Sequence, residues 1–182
     1  MKKIFILLIF LIPIHKASAS IKEIIIQKLI NIDNINFVFE QNINNKIETG
    51  KCTIQYPKKI YCKYNSDNKK ILVSNGRSLV IKTLSSYYLY PLNKTPLDII
   101  LDKNYLINKI DNIEERIVDN KFINYNFFEN DNEINLFFDA KTHNLIGWQT
   151  LDLYQNLSIT YLSSITKNRK LKKDLFKLPE RN

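Results

Sequence analysis

The sequence predicts a mainly β protein: one long antiparallel sheet, strongly curved, with two short apolar helices near its ends. Three observations carry this. Between Gly50 and Pro91, short runs rich in Ile, Val, Tyr and Thr alternate with turn signals, the pattern of half-buried strands. A second series follows between Phe122 and Ser163, with no helical crossover between its runs, so the strands are antiparallel. The Thr95-Pro96-Leu97-Asp98 stretch opens a helix, with Thr95 able to cap, Pro96 suited to the first helical position and Asp98 favoured at the positive end of the dipole.

In chain order, Met1 to Ala19 reads as a cleaved secretory signal. Lys2 and Lys3 are its basic start, Ile4–Ile14 its apolar run and Ala17-Ser18-Ala19 its small-residue cut. The alternative is an uncleaved anchor, against which Pro13, His15 and Lys16 interrupt the apolar run. Residues 20–182 then form a single domain of ordinary length. Ile21 to Ile32 predicts the first helix, with Ile21, Ile25, Leu29 and Ile32 on one stripe.

Ile35 to Gln41 is a strand with Ile35, Phe37 and Phe39 on one face. If Tyr56-Pro57-Lys58 is the next turn, Ile54 faces Ile60 and Cys52 faces Cys62; a slip of one residue gives a poorer match. Two opposed cysteines in an exported chain point to a disulfide, with a pair of free buried thiols as the alternative. Asn75-Gly76 predicts a type I′ hairpin, pairing Leu72 with Leu79 and Ile71 with Val80, so both of its faces are apolar and both need cover.

Tyr87–Pro91 continues the sheet, and Leu106–Val118 reads as an edge-like strand. Phe122–Phe128, Glu133–Phe138, Asn144–Leu153 and Asn156–Ser163 complete it, with a turn at Glu129–Asn132. In the tail, Leu175, Phe176 and Leu178 are expected to fold back on the sheet among basic residues that either help docking or are simply solvated.

The composition argues against several function classes. The formal charge is +9, of which Lys2, Lys3 and Lys16 contribute three, but Lys and Asn scatter through every segment. The charge is therefore weak support for a nucleic-acid partner. Of the two histidines, His15 leaves with the signal and His143 sits in a polar turn. Three glycines leave no room for a phosphate-binding loop. Asp98, Asp139 and Asp152 sit where carboxylates cap helices or close turns. No catalytic or metal-ligating constellation emerges, so an enzyme is not expected, and no cofactor is implied.

What remains is an excess of apolar material. A long twisted sheet tends to curl; if it does not close, its concave face is a groove that two apolar helices can cover. Ile35, Phe37, Phe39, Ile54, Ile60, Leu97, Ile100 and Leu101 are the candidates to line or cap that space, with Ile25 and Leu29 on the covering helix. The competing expectation is an ordinary filled core.

Several segments in this order resemble the periplasmic outer-membrane lipoprotein carrier (LolA) family. They are Phe39-Glu40-Gln41; Gly50, Ile54 and Pro57; Leu72 to Leu79 around Asn75-Gly76; Asn93 to Leu97; Trp148 with Asp152; and Leu175-Phe176-x-Leu178-Pro179. The resemblance implies about eleven strands in an unclosed β-barrel with a helical lid over an apolar cavity. It implies a soluble monomeric periplasmic chaperone that takes acylated lipoproteins from an inner-membrane ABC transporter and passes them to an outer-membrane receptor. Better-known members carry an arginine just before the hairpin proline, associated with latching the lid. Here that position is Tyr56, with Lys58 and Lys59 after Pro57, so either the Tyr56 hydroxyl replaces the latch or packing alone holds the lid. Two other roles are compatible with the same fold: a periplasmic sensor of lipid or protein, or the outer-membrane receptor, which would need a lipidated cysteine where Ser20 stands.

Overall fold

The computed structural model describes residues 19–129 and 132–181. The expected signal segment, apart from Ala19, lies outside them, as do the two central residues of the turn expected at Glu129–Asn132. The strands are β1 (Asn34–Ile43), β2 (Lys46–Gln55), β3 (Lys59–Tyr64), β4 (Ile71–Asn75), β5 (Ser78–Lys82), β6 (Tyr87–Pro91), β7 (Arg116–Val118), β8 (Phe122–Glu129), β9 (Asn132–Asp139), β10 (Leu145–Leu151) and β11 (Leu157–Lys167). They form one antiparallel sheet in the order β6-β5-β4-β3-β2-β1-β11-β10-β9-β8-β7. β6 and β7 remain its two edges, so the barrel is not closed. The pairing of β1 with β11 joins an N-terminal meander to a C-terminal one.

Three helices cover the inner face: α1 (Ile21–Ile30), α2 (Leu97–Ile100) and α3 (Lys103–Asn112). Ser20 and Glu23 form a reciprocal capping box that starts α1. The stripe expected to reach Ile32 breaks off two residues early; Ile32 is outside the helix but still buried. α3 replaces the first part of the strand expected over Leu106–Val118, of which only Arg116–Val118 is strand. The Asp102 carboxylate accepts from the Tyr105 backbone N–H and starts the helix, and Leu106 and Ile110, four residues apart, are its buried residues. At its outer side the Tyr105 hydroxyl donates to Glu129 at the end of β8. Lys109 pairs with the same carboxylate at 3.0 Å. The Tyr105 hydrogen bond first, and then Lys109, hold the Glu129 carboxyl below its ordinary range.

The β2–β3 register is Ile54↔Ile60 and Cys52↔Cys62, and the two cysteines, with Cα atoms 4.1 Å apart, are joined as a disulfide. The Asn75-Gly76 hairpin departs from the expected register. Ser74 pairs with Leu79 and Leu72 with Ile81, and Gly76 and Arg77, in place of Asn75 and Gly76, are the two residues between β4 and β5. A type I′ turn needs positive φ at both central residues; only Gly76 has it, at +98°. The Asn75 side chain instead accepts from the backbone N–H groups of Arg77 and Ser78 and supports the shifted turn. The shift is two residues, so each side chain stays on its expected face. Leu72, Leu79 and Ile81 face inward. Val73 and Val80 face outward and are also buried. On the outer face Phe176 of the C-terminal segment is buried, Leu175 and Leu178 are half-buried, and Lys82 Nζ donates to the Glu180 carbonyl.

Gly50 has a specific packing role. It lies between Phe39 on β1 and Tyr64 on β3. Those two rings meet edge-on above it, with centroids 4.9 Å apart. A Cβ there would run into the Lys63 carbonyl and come within 2.7 Å of the Phe39 ring. Gly50→Ala is therefore expected to destabilise the fold by about 1–3 kcal/mol. Urea unfolding measures it, and an unchanged midpoint would show that the rings do not depend on the missing side chain.

Candidate functional site

The inner face of the sheet is filled at one end of the strands and open at the other. At the filled end, Ile35, Ile54, Ile100, Leu101, Leu106 and Ile110 are almost wholly buried together with Ile25 and Leu29 of α1. At the open end lies a cleft of about 440 Å³. One wall is Leu72, Leu79 and Ile81 on β4 and β5. The other is Trp148, Thr150 and Leu151 on β10, continuing into Leu153 and Tyr154. Gln41 and Tyr64 contribute the floor, and Thr95, Pro96 and Leu97 the roof. An inner extension of about 50 Å³ reaches Phe37, Phe39, Ile60 and the disulfide.

The expected lining residues therefore divide. Leu97 lines the cleft itself, while Phe37, Phe39 and Ile60 line its narrow inner end. Ile25, Leu29, Ile35, Ile54, Ile100 and Leu101 belong to the packed core, and half-buried Tyr56 packs against it. The physical reason is that the helices have their own apolar faces to bury. They settle on the end of the sheet where β1, β2 and β3 present only apolar side chains, and interiors pack without voids. Apart from Leu97, Phe37, Phe39 and Ile60, the residues that form the cleft were not singled out as lining from the sequence. Their signal was modest: Gln41 continues the Phe37–Phe39 face two residues on, and Thr150 shares the face of Trp148.

The open end is polar inside as well as at its rim. Gln41 Nε2 donates to Ser158 Oγ (3.0 Å) and Thr160 Oγ1 (3.2 Å), and its Oε1 accepts from the Tyr64 hydroxyl. Burial pushes the Tyr64 phenol well above its ordinary range, with a smaller contribution from Glu48, so it stays protonated. At the mouth, Glu48 pairs with Lys70 at 2.6 Å and with exposed Lys46 at 3.6 Å. Lys70 also lies 4.1 Å from the centre of the Tyr64 ring. Among the described residues no group of three or more His, Cys, Asp or Glu side chains is placed to hold a metal ion. No helix among them is long and apolar enough to cross a membrane.

The lid is tied to the sheet by Lys58, the residue after Pro57. Lys58 Nζ pairs with Asp98 of α2 at 2.9 Å and with Asp102, which caps α3, at 3.5 Å. Its backbone N–H donates to the Leu101 carbonyl at 2.8 Å, and its carbonyl accepts from Ser74 Oγ. Asp98 is thus an ion-pair partner as well as a first-turn residue. Thr95, expected to cap α2 with its side chain, instead donates its hydroxyl to the Leu92 carbonyl and closes the 3-10 turn Leu92–Lys94. Neither expected latch is the one observed. No hydrogen bond joins the Tyr56 hydroxyl to the lid among the described residues; its ring lies 6.0 Å from Lys103 Nζ, which donates to the Ile30 and Ile32 carbonyls.

Removing this charge gives a direct check. Lys58→Met keeps most of the stem and should cost about 1 kcal/mol, the upper range for a partly exposed pair, or roughly 2–4 °C in Tm. The Asp98 hydrogen bond is the main cause raising the Lys58 pKa above its ordinary 10.5. The contribution is therefore fully present below that value and is lost as the pH rises through the higher folded value. The difference between the two proteins should persist from neutral pH to about 10 and close above it. Equal melting temperatures at neutral pH would show that the pair holds nothing.

Residues 32–179 match the sequence profile of the outer membrane lipoprotein carrier protein family, LolA. No curated protein matches the chain. Among solved structures, a LolA superfamily protein from Nitrosomonas europaea is 10% identical, with 88% of this chain and 99% of that one covered and a TM-score of 0.43. MucB is 11% identical at a TM-score of 0.49; the alignment covers 85% of this chain but only 62% of MucB. The lipoprotein LppX of Mycobacterium tuberculosis is 8% identical, with 83% and 94% covered and a TM-score of 0.44. The profile match runs from Ile32, two residues before β1, to Pro179 and takes in the hairpin of Lys58, α2, α3 and the cleft, and on that ground the chain belongs to the outer membrane lipoprotein carrier (LolA) family.

Proposed function

We propose that this protein is a periplasmic carrier that holds an acyl chain of a lipoprotein in the cleft between β4–β5 and β10. It would receive its cargo from an inner-membrane ABC transporter and deliver it to an outer-membrane receptor. The observation that carries this reading is the apolar cleft itself, left open at one end of an unclosed sheet whose other end is fully packed. Family membership supports a lipid- or lipoprotein-binding role of this kind.

The cleft size and the chemistry of the lid support the proposal further. A methylene takes up about the ~30 Å³ share of a water molecule, so a cleft of about 440 Å³ suits one long acyl chain. Each buried methylene contributes about 0.8 kcal/mol, so some ten methylenes contribute roughly 8 kcal/mol before the costs of ordering the chain. Release into water would then be slow. The chain offers no glycine-rich nucleotide loop with which to drive release. Transfer by direct contact with an acceptor that holds the chain better resolves this, with the ATP of the donor transporter supplying the energy of loading.

The test is to load the purified protein with a palmitoylated peptide and follow the release of the peptide. Slow loss into buffer and rapid transfer once the outer-membrane receptor is added are expected. Ile81→Asp, placed on the cleft wall, should reduce loading at least tenfold. Rapid loss into buffer that the receptor does not change would contradict a carrier. Depletion in the cell supplies the second readout: lipoproteins retained at the inner membrane support transport, whereas unchanged sorting favours a sensor of the same fold.

A further inference from the structure

Three buried hydroxyl groups on one side of the cleft have no acceptor for their hydrogens among the described residues. Thr150 is 6% exposed, and its Oγ1 has no hydrogen-bond partner among the described residues. Ser158 and Thr160 are each 4% exposed. Their oxygens accept from Gln41 Nε2, and among the described residues neither hydroxyl donates to anything. Thr150 and Ser158 face each other across β10 and β11, and Gln41 pairs with Thr160 across β1 and β11. The four therefore share one patch of the inner face. An unsatisfied buried hydroxyl is costly, and three converging on a cavity are a poor choice for a site that takes only hydrocarbon.

Their place in the cleft gives the patch a direction. Inward of it the lining is Phe37, Phe39 and Ile60, with Thr160 at the entrance to that inner space, directly across from Trp148. Outward of it is the charged mouth of Lys46, Glu48 and Lys70. We infer that the cleft is built for an acyl chain entering tail first, whose carbonyl oxygen accepts hydrogen bonds from the hydroxyls of Thr150, Ser158 and Thr160. The ligand class is an acyl ester or amide, as distinct from a plain alkyl chain. The inference rests on the carrier reading and deepens it. Gln41 is a positioning residue: its amide occupies the lone pairs of Ser158 and Thr160 and so turns their hydrogens toward the ligand.

The experiment compares three forms of one short water-soluble peptide, carrying an N-palmitoyl amide, an O-palmitoyl serine ester or an S-hexadecyl cysteine thioether. Affinities are read by displacement of a fluorescent fatty acid. Both carbonyl probes should bind about five- to tenfold more tightly than the thioether, the effect of one or two net hydrogen bonds. Tighter binding of the ester alone, or of the amide alone, would still support the hydroxyl site and would assign its source. Thr150→Val should remove about fivefold of the affinity for the carbonyl probes and leave the thioether unchanged. Thr150→Ser should restore the difference. The melting temperature of Thr150→Val should be unchanged or higher, since the substitution removes an unpaired buried hydroxyl. Equal binding of all three probes, or an equal loss for all three in Thr150→Val, would overturn this inference and leave the carrier reading standing; the hydroxyls would then hold water. No binding of any probe would overturn both.

Discussion

A curled sheet that does not close has more inner surface than three short helices can cover, and the rest of this structure follows from how that surface is shared. α1, α2 and α3 bury their apolar stripes at one end of the strands, where Ile35 and Ile54 meet them in a filled core. Among the described residues, only the start of α2, with Thr95 and Pro96 before it, reaches over the other end. The hydrophobic effect that seals the first end therefore leaves the second as a cleft with apolar walls. Stability and binding capacity come from the same face of the same strands, separated along their length by a few residues. The Phe39–Tyr64 contact over Gly50 lies at the boundary.

Chemistry changes across that boundary while geometry does not. Along β1 the inward residues run Ile35, Phe37, Phe39, Gln41, Ile43; β10 continues from Trp148 to Thr150, and β11 descends from Leu162 through Thr160 to Ser158. The charged groups Lys46, Glu48 and Lys70 line the cavity at its mouth. Glu48 is neutralised by two lysines at the mouth, and Lys58 ties the lid to the hairpin through Asp98 and Asp102. That arrangement suits an amphiphile: hydrocarbon inward, a hydrogen-bonding group at mid-depth, a polar head at the rim. The lid is held by the packing of Ile100, Leu101, Leu106 and Ile110 in the core as well as by Lys58 and by the contacts of Tyr105 and Lys109 with Glu129.

Much of the fold was legible in the sequence because local signals agreed with one another. The Cys52↔Cys62 register followed from the Pro57 turn and from matching Ile54 to Ile60. The sheet class followed from strands that succeed each other without crossovers. Two local readings failed for identifiable reasons. Charge scattered through Leu106–Val118 hid the spacing of Leu106 and Ile110, and the cap at Asp102 comes only two residues after another helix ends. At the Asn75 hairpin, a side chain that bonds its own loop overrode the dipeptide preference. The cleft was harder to see. Alternation reports that a face is buried; it does not report whether a helix or a cavity lies on it. Ile35 and Ile81 carry the same signal, yet one is in the core and the other lines the cleft. Thr150 and Ser158 read as ordinary strand residues until their missing partners are seen.

The central claim, that cargo enters the open end and leaves the packed end undisturbed, is tested most directly by methyl NMR of the protein with and without a palmitoylated peptide. The account predicts large shifts for the methyl groups of Leu72, Leu79, Ile81 and Leu97, and near silence from Ile25, Leu29, Ile35 and Ile54. The opposite pattern, with the α1 methyls moving and those of β4 and β5 still, would place the cargo under the helices and contradict it.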